Sequence, residues 1–129
     1  MQVTDLTLSA VIERDGRFLI VAERSSGIVV MNHPGGHIES GESPVQAVVR
    51  EALEETGCRI TVGEMLGIYL WIHLQTWQQY LGIAYVGNYL SHDENQVLDD
   101  GVYAIHWLTP ADIRQQYAET SFANGHAMR

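Results

Sequence analysis

The sequence predicts a single mixed α/β domain. Three observations point there: a hairpin signal near the N-terminus, one helix punctuated at both ends, and a closing strand followed by a helix start. Residues 6–14 and 17–24 read as strands joined by Asp15-Gly16, a dipeptide suited to the positive-φ positions of a two-residue turn. Residues 28–31 read as a short strand, after which Pro34-Gly35-Gly36 ends regular pairing and turns the chain. In residues 43–56, Ser43 supplies an N-cap, Pro44 the first helical position and Gln46 the capping-box partner, and Gly57 supplies the stop. Residues 59–74 and 80–90 are rich in aromatic and branched side chains and flank a polar stretch at 75–79, so they read as a second antiparallel pair. An acidic loop fills 91–101, and 104–108 form the last strand. Thr109-Pro110 starts a short helix expected to end near Tyr117, with no strong pattern after Glu119.

At 129 residues the chain has room for one domain, residues 1–129, and 46% apolar content is enough to build its core. Seven basic and sixteen acidic residues leave a formal charge of −9, and every basic residue is Arg. That balance argues against duplex nucleic acid or an anionic membrane as partner. The single cysteine, Cys58, excludes an internal disulfide and a multi-cysteine zinc site. No basic-then-apolar leader opens the sequence and no stretch is apolar enough to span a bilayer, so the expectation is a cytoplasmic protein.

On the helix of residues 43–56, a 100° turn per residue places Val45, Val48, Val49, Ala52 and Leu53 on one stripe, the face expected to pack on a sheet. Glu51, Glu54 and Glu55 share a neighbouring arc. Like charges at this spacing cost about 0.2–0.5 kcal/mol per pair, more where water is excluded. Arg50 can reach Glu54, but one guanidinium cannot neutralise three carboxylates together with Glu42. A divalent cation can, and carboxylate oxygens that leave room for water are the ligands hard Mg²⁺ prefers. An acidic helix face is ordinarily just a solvated surface. Here it is joined in one stretch to a Gly-Gly loop, a capped start and a glycine stop.

That stretch, Gly36-His37-Ile38-Glu39-Ser40-Gly41-Glu42 followed by Arg50-Glu51-Ala52-Leu53-Glu54-Glu55-Thr56-Gly57-Cys58, resembles the Nudix box, G-x5-E-x7-R-E-U-x-E-E-x-G-U with U apolar. Every fixed position matches over the 23 residues from 36 to 58, with Ala52 and Cys58 smaller than the usual aliphatics. Pro34-Gly35 resembles the family's entry to the box, and Trp107-Leu108 with Thr109-Pro110-Ala111-Asp112 resembles its closing strand and helix. The tryptophan often found a few residues before the box is absent, with Val30-Met31 in its place.

The resemblance implies an α/β/α sandwich with a mixed central sheet, and an outer layer that a short C-terminal helix would leave thin. It also implies Mg²⁺-dependent hydrolysis of a diphosphate linkage in a nucleotide or nucleoside-diphosphate-X substrate by water attack on phosphorus, with Mn²⁺ as a substitute ion. On this reading Gly36, Glu42, Glu51, Glu54 and Glu55 are the metal-site candidates, and Arg50 fixes the glutamates. The general base is Glu51 or Glu54, or an acid of the 91–101 loop; of Asp93, Glu94, Asp99 and Asp100, Glu94 ranks first. Arg14 and Arg24 are candidate phosphate contacts through bidentate forks, although surface arginines are equally common without that role. Tyr69, Trp71, Trp77, Tyr80, Tyr85 and Tyr103 can stack a base, though aromatic residues in strands more often pack a sheet. His33, His73, His92 and His106 lack zinc spacing. A homodimer is a further expectation of the resemblance. The alternatives are a nucleotide-sensing module of the same fold without turnover, and removal of pyrophosphate from RNA 5′ ends.

Overall fold

A computed structural model describes residues 3–25 and 27–123. Its elements run β1 (Asp5–Arg14), β2 (Arg17–Ser25), β3 (Ile28–Asn32), β4 (Gly35–Gly36), α1 (Pro44–Thr56), β5 (Cys58–Ile72), β6 (Gln79–His92), β7 (Val102–Leu108) and α2 (Pro110–Ala123). All seven strands join one mixed sheet whose main path is β3-β2-β1-β6-β5, with β4 added on β1 and β7 on β2. The predicted first hairpin forms, and Asp15 and Gly16 both take positive φ, at 54° and 77°. The registered β1–β2 pairing covers only Glu13↔Phe18 and Arg14↔Arg17. β1 instead pairs in parallel with β6 from Asp5↔Tyr80 to Ile12↔Gly87, while β2 pairs antiparallel with β3 and β7.

Three expectations are corrected. Gly35 and Gly36 do not merely end pairing; they form β4, antiparallel to β1 at Ser9↔Gly35 and Leu8↔Gly36. A Cβ on Gly35 would collide with the Leu8 carbonyl oxygen, so the approach of the two backbones requires glycine there. The C-terminal helix is longer than expected, reaching Ala123. Its start is locked by a reciprocal cap: Thr109 N–H donates to Asp112 Oδ2 at 3.0 Å and Asp112 N–H donates to Thr109 Oγ1 at 3.1 Å. α2 packs against β7.

The third correction concerns the buried face of α1. Its ends are as predicted: Ser43 and Gln46 make both capping-box bonds, and Gly57 adopts φ 77° as the left-handed stop. The buried residues, however, are Ala47, Val48, Ala52, Glu55 and Thr56, whereas Val45 is 46% exposed. The helix is rolled about its axis so that an acid, Glu55, lies inward, because Gly35 N–H on β4 donates to Glu55 Oε1 at 2.8 Å. The core beneath combines Leu8, Ala10 and Ile12 of β1 with Val48, Cys58 and Ile60. Thr56 is buried with its hydroxyl satisfied, donating to the Ala52 carbonyl and accepting from Cys58 N–H.

Candidate functional site

The loop entering α1 and the second half of the helix are tied together by Arg50. Its Nε and Nη2 donate to the two oxygens of Glu42 at 2.7 and 3.0 Å, and Nη1 donates to Glu51 Oε1 at 2.8 Å and Glu54 Oε1 at 2.7 Å. Nη2 also reaches the His37 carbonyl at 3.0 Å. The i,i+4 spacing of Arg50 and Glu54 makes one of these pairs available from the helix alone. The Glu42 pairing depends on the loop turn, in which Glu39 N–H donates to Glu42 Oε1 and Glu42 N–H to the Glu39 carbonyl. Glu42 is thereby held below the usual carboxylate range, chiefly by Arg50 and then by the Glu39 N–H. Arg50 is pushed up, chiefly by its bond to Glu42.

Beside this brace, three carboxylates converge. Oxygens of Glu51, Glu55 and Asp99 lie within 4.8 Å of one another. Two belong to α1, one turn apart; the third arrives on the 93–101 loop, which docks by Asp99 N–H donating to the Glu54 carbonyl at 3.0 Å. The same loop is pinned at Gly57, whose carbonyl accepts from Asp93 N–H. Gly36 is fitted to the group as well: a Cβ there would lie 2.7 Å from Glu51 Cδ, so the observed Glu51 rotamer uses the space that glycine leaves.

The electrostatics follow from burial and crowding. Glu55 is 7% exposed. Its carboxyl is pushed up to about 8, first by burial and then by Glu23, Glu51 and Asp99, against the lowering effect of the Gly35 N–H. Glu51 is raised mainly by burial, with Arg50 opposing, and Asp99 is raised by burial and by Glu54. Arg50 bonds Glu51 but not Glu55, so once all three convergent acids ionise they hold more negative charge than that guanidinium offsets. A hard divalent cation would offset that charge. Three carboxylate oxygens at this spacing, beside a backbone kept open by Gly36, fit its donor preference.

The structure distributes the remaining candidate residues around this group. Glu54 belongs to the Arg50 brace rather than to the convergent group, and Glu42 has both oxygens engaged by Arg50. The loop acid brought to the helix is Asp99; Glu94 is exposed and outside the group. Arg14 and Arg24 are drawn to aromatic faces, Arg14 at 4.4 Å over Tyr89 and Arg24 at 4.5 Å over Tyr103. Arg14 lines a cavity with Val11, Phe18 and Tyr89 that shares no residue with the acid group. Glu23 was not singled out, yet it bears on Glu55. Its signal was an acid continuing the Leu19–Val21 row of an otherwise core strand.

A cavity of about 250 Å³ opens next to the acids, lined by Gly35, Gly36, Glu23, Asn32, His33, Tyr69 and Trp71 among others. Two of the candidate stacking residues, Tyr69 and Trp71, are therefore at this cavity. Trp71 is already stacked on Tyr80, with centroids 4.3 Å apart.

Fold and site together define a mixed-sheet α/β protein whose capped helix presents a cation-type acid cradle. Comparison with known proteins bears on which family builds it. The NUDIX domain model matches residues 4–127. A structure described as a NUDIX hydrolase from Nitrosomonas europaea is 36% identical, with a TM-score of 0.85 over 90% of this chain and 79% of that one. The MutT protein from Methanosarcina mazei Go1 has the same fold, at 22% identity and a TM-score of 0.71, with 95% and 96% of the two chains covered. Among curated proteins, Phosphatase NudJ of Escherichia coli K12 is 36% identical over 67 residues, 52% of this chain and 44% of the relative, so the match spans less than half of that protein. The chain belongs to the NUDIX domain family.

Proposed function

We propose that this chain hydrolyses a diphosphate linkage in a nucleotide or nucleoside-diphosphate-X substrate, using Mg²⁺, with Mn²⁺ able to substitute. The observation that carries the reading is the convergence of Glu51, Glu55 and Asp99 beside Gly36. Family membership and the hydrolase and phosphatase names of the two 36% identical relatives support it.

In this mechanism Glu51, Glu55 and Asp99, with the Gly36 carbonyl, hold the cation. When bound, it supplies Lewis-acid polarisation of phosphoryl oxygens and a lowered pKa for water. It also reverses the local sign, so that a protein of charge −9 can receive an anionic diphosphate. Arg50 and Glu42 act as a brace, fixing the rotamers of Glu51 and Glu54 so that no side-chain reorganisation is needed when substrate enters. Glu54, with one oxygen on Arg50 and a side chain more exposed than that of Glu51, is the helix acid placed to accept a proton from the attacking water. The adjacent cavity receives the organic group, with Tyr69 and Trp71 as its aromatic wall.

The test is a Mg²⁺-supplemented panel of nucleoside triphosphates, sugar nucleotides, dinucleoside polyphosphates, non-nucleotide diphosphates and 5′-triphosphate RNA. Cleavage of a small diphosphate, abolished by chelator, is expected: phosphate or pyrophosphate from a nucleoside triphosphate, or a nucleoside monophosphate and phosphorylated X from a nucleoside-diphosphate-X. Binding of a nucleotide without turnover would instead make the chain a sensor, and preference for the RNA would overturn the small-molecule assignment.

A further inference from the structure

Between β3 and β4 the chain crosses from one half of the sheet to the other through His33. Asn32 before it is paired with Val21 of β2, and the Pro34 carbonyl after it accepts from Ala10 N–H of β1 at 2.9 Å. The backbone at His33 is therefore fixed on both sides. Its half-buried ring nevertheless has an unmet nitrogen: Nδ1 is enclosed without a hydrogen-bond partner, alone among the side-chain polar atoms of the described residues. Buried polar groups are ordinarily paired, so the exception asks for a reason. Burial also holds the imidazole below its ordinary pKa, which leaves the ring neutral at physiological pH. A neutral ring carries one N–H. An orphaned N–H is rarer than an orphaned acceptor, so Nδ1 is the bare nitrogen and the proton sits on Nε2, which is not enclosed in this way.

We propose that His33 is a specificity-determining residue whose Nε2–H donates to an uncharged acceptor, a carbonyl oxygen or ring nitrogen, on a nucleobase lodged in the cavity beside the acids. The proposal rests on the hydrolysis reading for the place of the diphosphate. His33 lines that cavity together with Glu23, Gly36, Tyr69 and Trp71. It also borders a second cavity, of about 340 Å³, but that one is walled mainly by Ile20, Val30, Met31, Leu108 and Ile113 and touches none of the convergent acids. The chemistry of the first cavity selects the ligand class. Tyr69 and Trp71 supply an aromatic wall for a planar group. Glu23 repels an anionic one, such as a sugar acid or a further phosphate. A neutral donor between them matches a neutral acceptor on a heterocycle. At about 250 Å³ the space is smaller than the pockets that hold whole ligands, so it takes one ring system, with the ribose and phosphates toward Gly36 and the acids.

The first arm of the experiment needs no turnover. The imidazole nitrogen NMR signals of His33 are followed in the isotope-labelled wild-type chain while AMP, GMP, CMP, UMP and inorganic phosphate are each titrated in with Mg²⁺. Before addition the proton is on Nε2 and Nδ1 is bare; at least one nucleotide then shifts the Nε2–H signal and inorganic phosphate does not. A proton on Nδ1, or an Nε2–H signal that no nucleotide moves, overturns the proposal. The second arm is steady-state kinetics on the best nucleotide of the substrate panel. His33→Phe is expected to raise KM about 5–10-fold, the worth of one neutral hydrogen bond, with kcat within about twofold of wild type. His33→Gln, whose amide N–H stands near the place of Nε2–H, recovers most of that loss and His33→Asn does not. An unchanged KM in His33→Phe, or a loss confined to kcat, overturns the proposal. A nucleotide-induced shift at His33 in a chain that hydrolyses nothing in the panel upholds the site and removes the hydrolysis, so the two readings fail separately.

Discussion

Replacing Glu55 by Gln should stabilise the metal-free protein in alkaline solution, because it removes a buried ionisable group and keeps an acceptor. The reason is the pKa displacement. In the folded chain the Glu55 carboxyl titrates at about 8, against 4.5 ordinarily. The folded state therefore holds its proton more tightly than the unfolded state does. Stability is highest below pH 4.5, declines as pH rises toward about 8, and has lost its full increment above that. At about 1.4 kcal/mol per tenfold change in proton concentration the displacement corresponds to roughly 4–5 kcal/mol. Relaxation and water penetration in the charged state reduce such figures, so a gain of about 2 kcal/mol is expected for Glu55→Gln at pH 8. Gln keeps an oxygen for the Gly35 N–H. For a domain of this size the gain is about 3–5 °C per kcal/mol in melting temperature. The assay is thermal melting in chelator from pH 4.5 to above 8, wild type beside variant. The wild type should lose more stability over that window than the variant, which keeps only the smaller contributions of Glu51 and Asp99. Saturating Mg²⁺ should restore the wild type and leave the variant nearly unmoved. Parallel curves for the two proteins in chelator would refute the reasoning, because they would mean that Glu55 ionises at no cost in the fold.

Three further outcomes follow from the site. Glu51→Gln should reduce turnover by about 100-fold or more by removing an anionic ligand from the convergent group, measured as kcat over a Mg²⁺ titration; activity near wild type would remove Glu51 from that role. Asp99→Asn should raise the Mg²⁺ concentration needed for half-maximal activity by roughly 10-fold while Glu94→Gln leaves it unchanged, and the reverse ranking would return Glu94 to the site. Gly35→Ala should cost at least about 2–3 kcal/mol by forcing β4 off the Leu8 carbonyl, read by denaturant unfolding; a stability equal to wild type would mean that β4 yields without penalty.

Much of the fold was legible because its signals are local. The α1 caps depend on Ser43, Pro44, Gln46 and Gly57 within one segment, and the first turn on Asp15-Gly16; all behave as their types dictate. The acidic box was legible for the same reason, since glutamates at fixed helical spacing are neighbours whatever the rest of the chain does. What escaped depends on pairing between distant residues. The roll of α1 that buries Glu55 is set by Gly35, twenty positions earlier. The choice of Asp99 over Glu94 is set by where the loop backbone meets the Glu54 carbonyl, which no property of either side chain announces. The parallel β1–β6 register joins residues 5–12 to residues 80–87, a contact that neither segment's alternation encodes. The positions of Arg14 over Tyr89 and Arg24 over Tyr103 are likewise set by distant residues, through tyrosine faces brought alongside by neighbouring strands.

On the proposed reading Glu51, Glu55 and Asp99 together hold a divalent cation. Anomalous scattering from crystals grown with Mn²⁺ measures it directly. A peak within coordination distance of all three carboxylates is the predicted result. A peak elsewhere in the molecule, or none with those side chains turned apart, would contradict it.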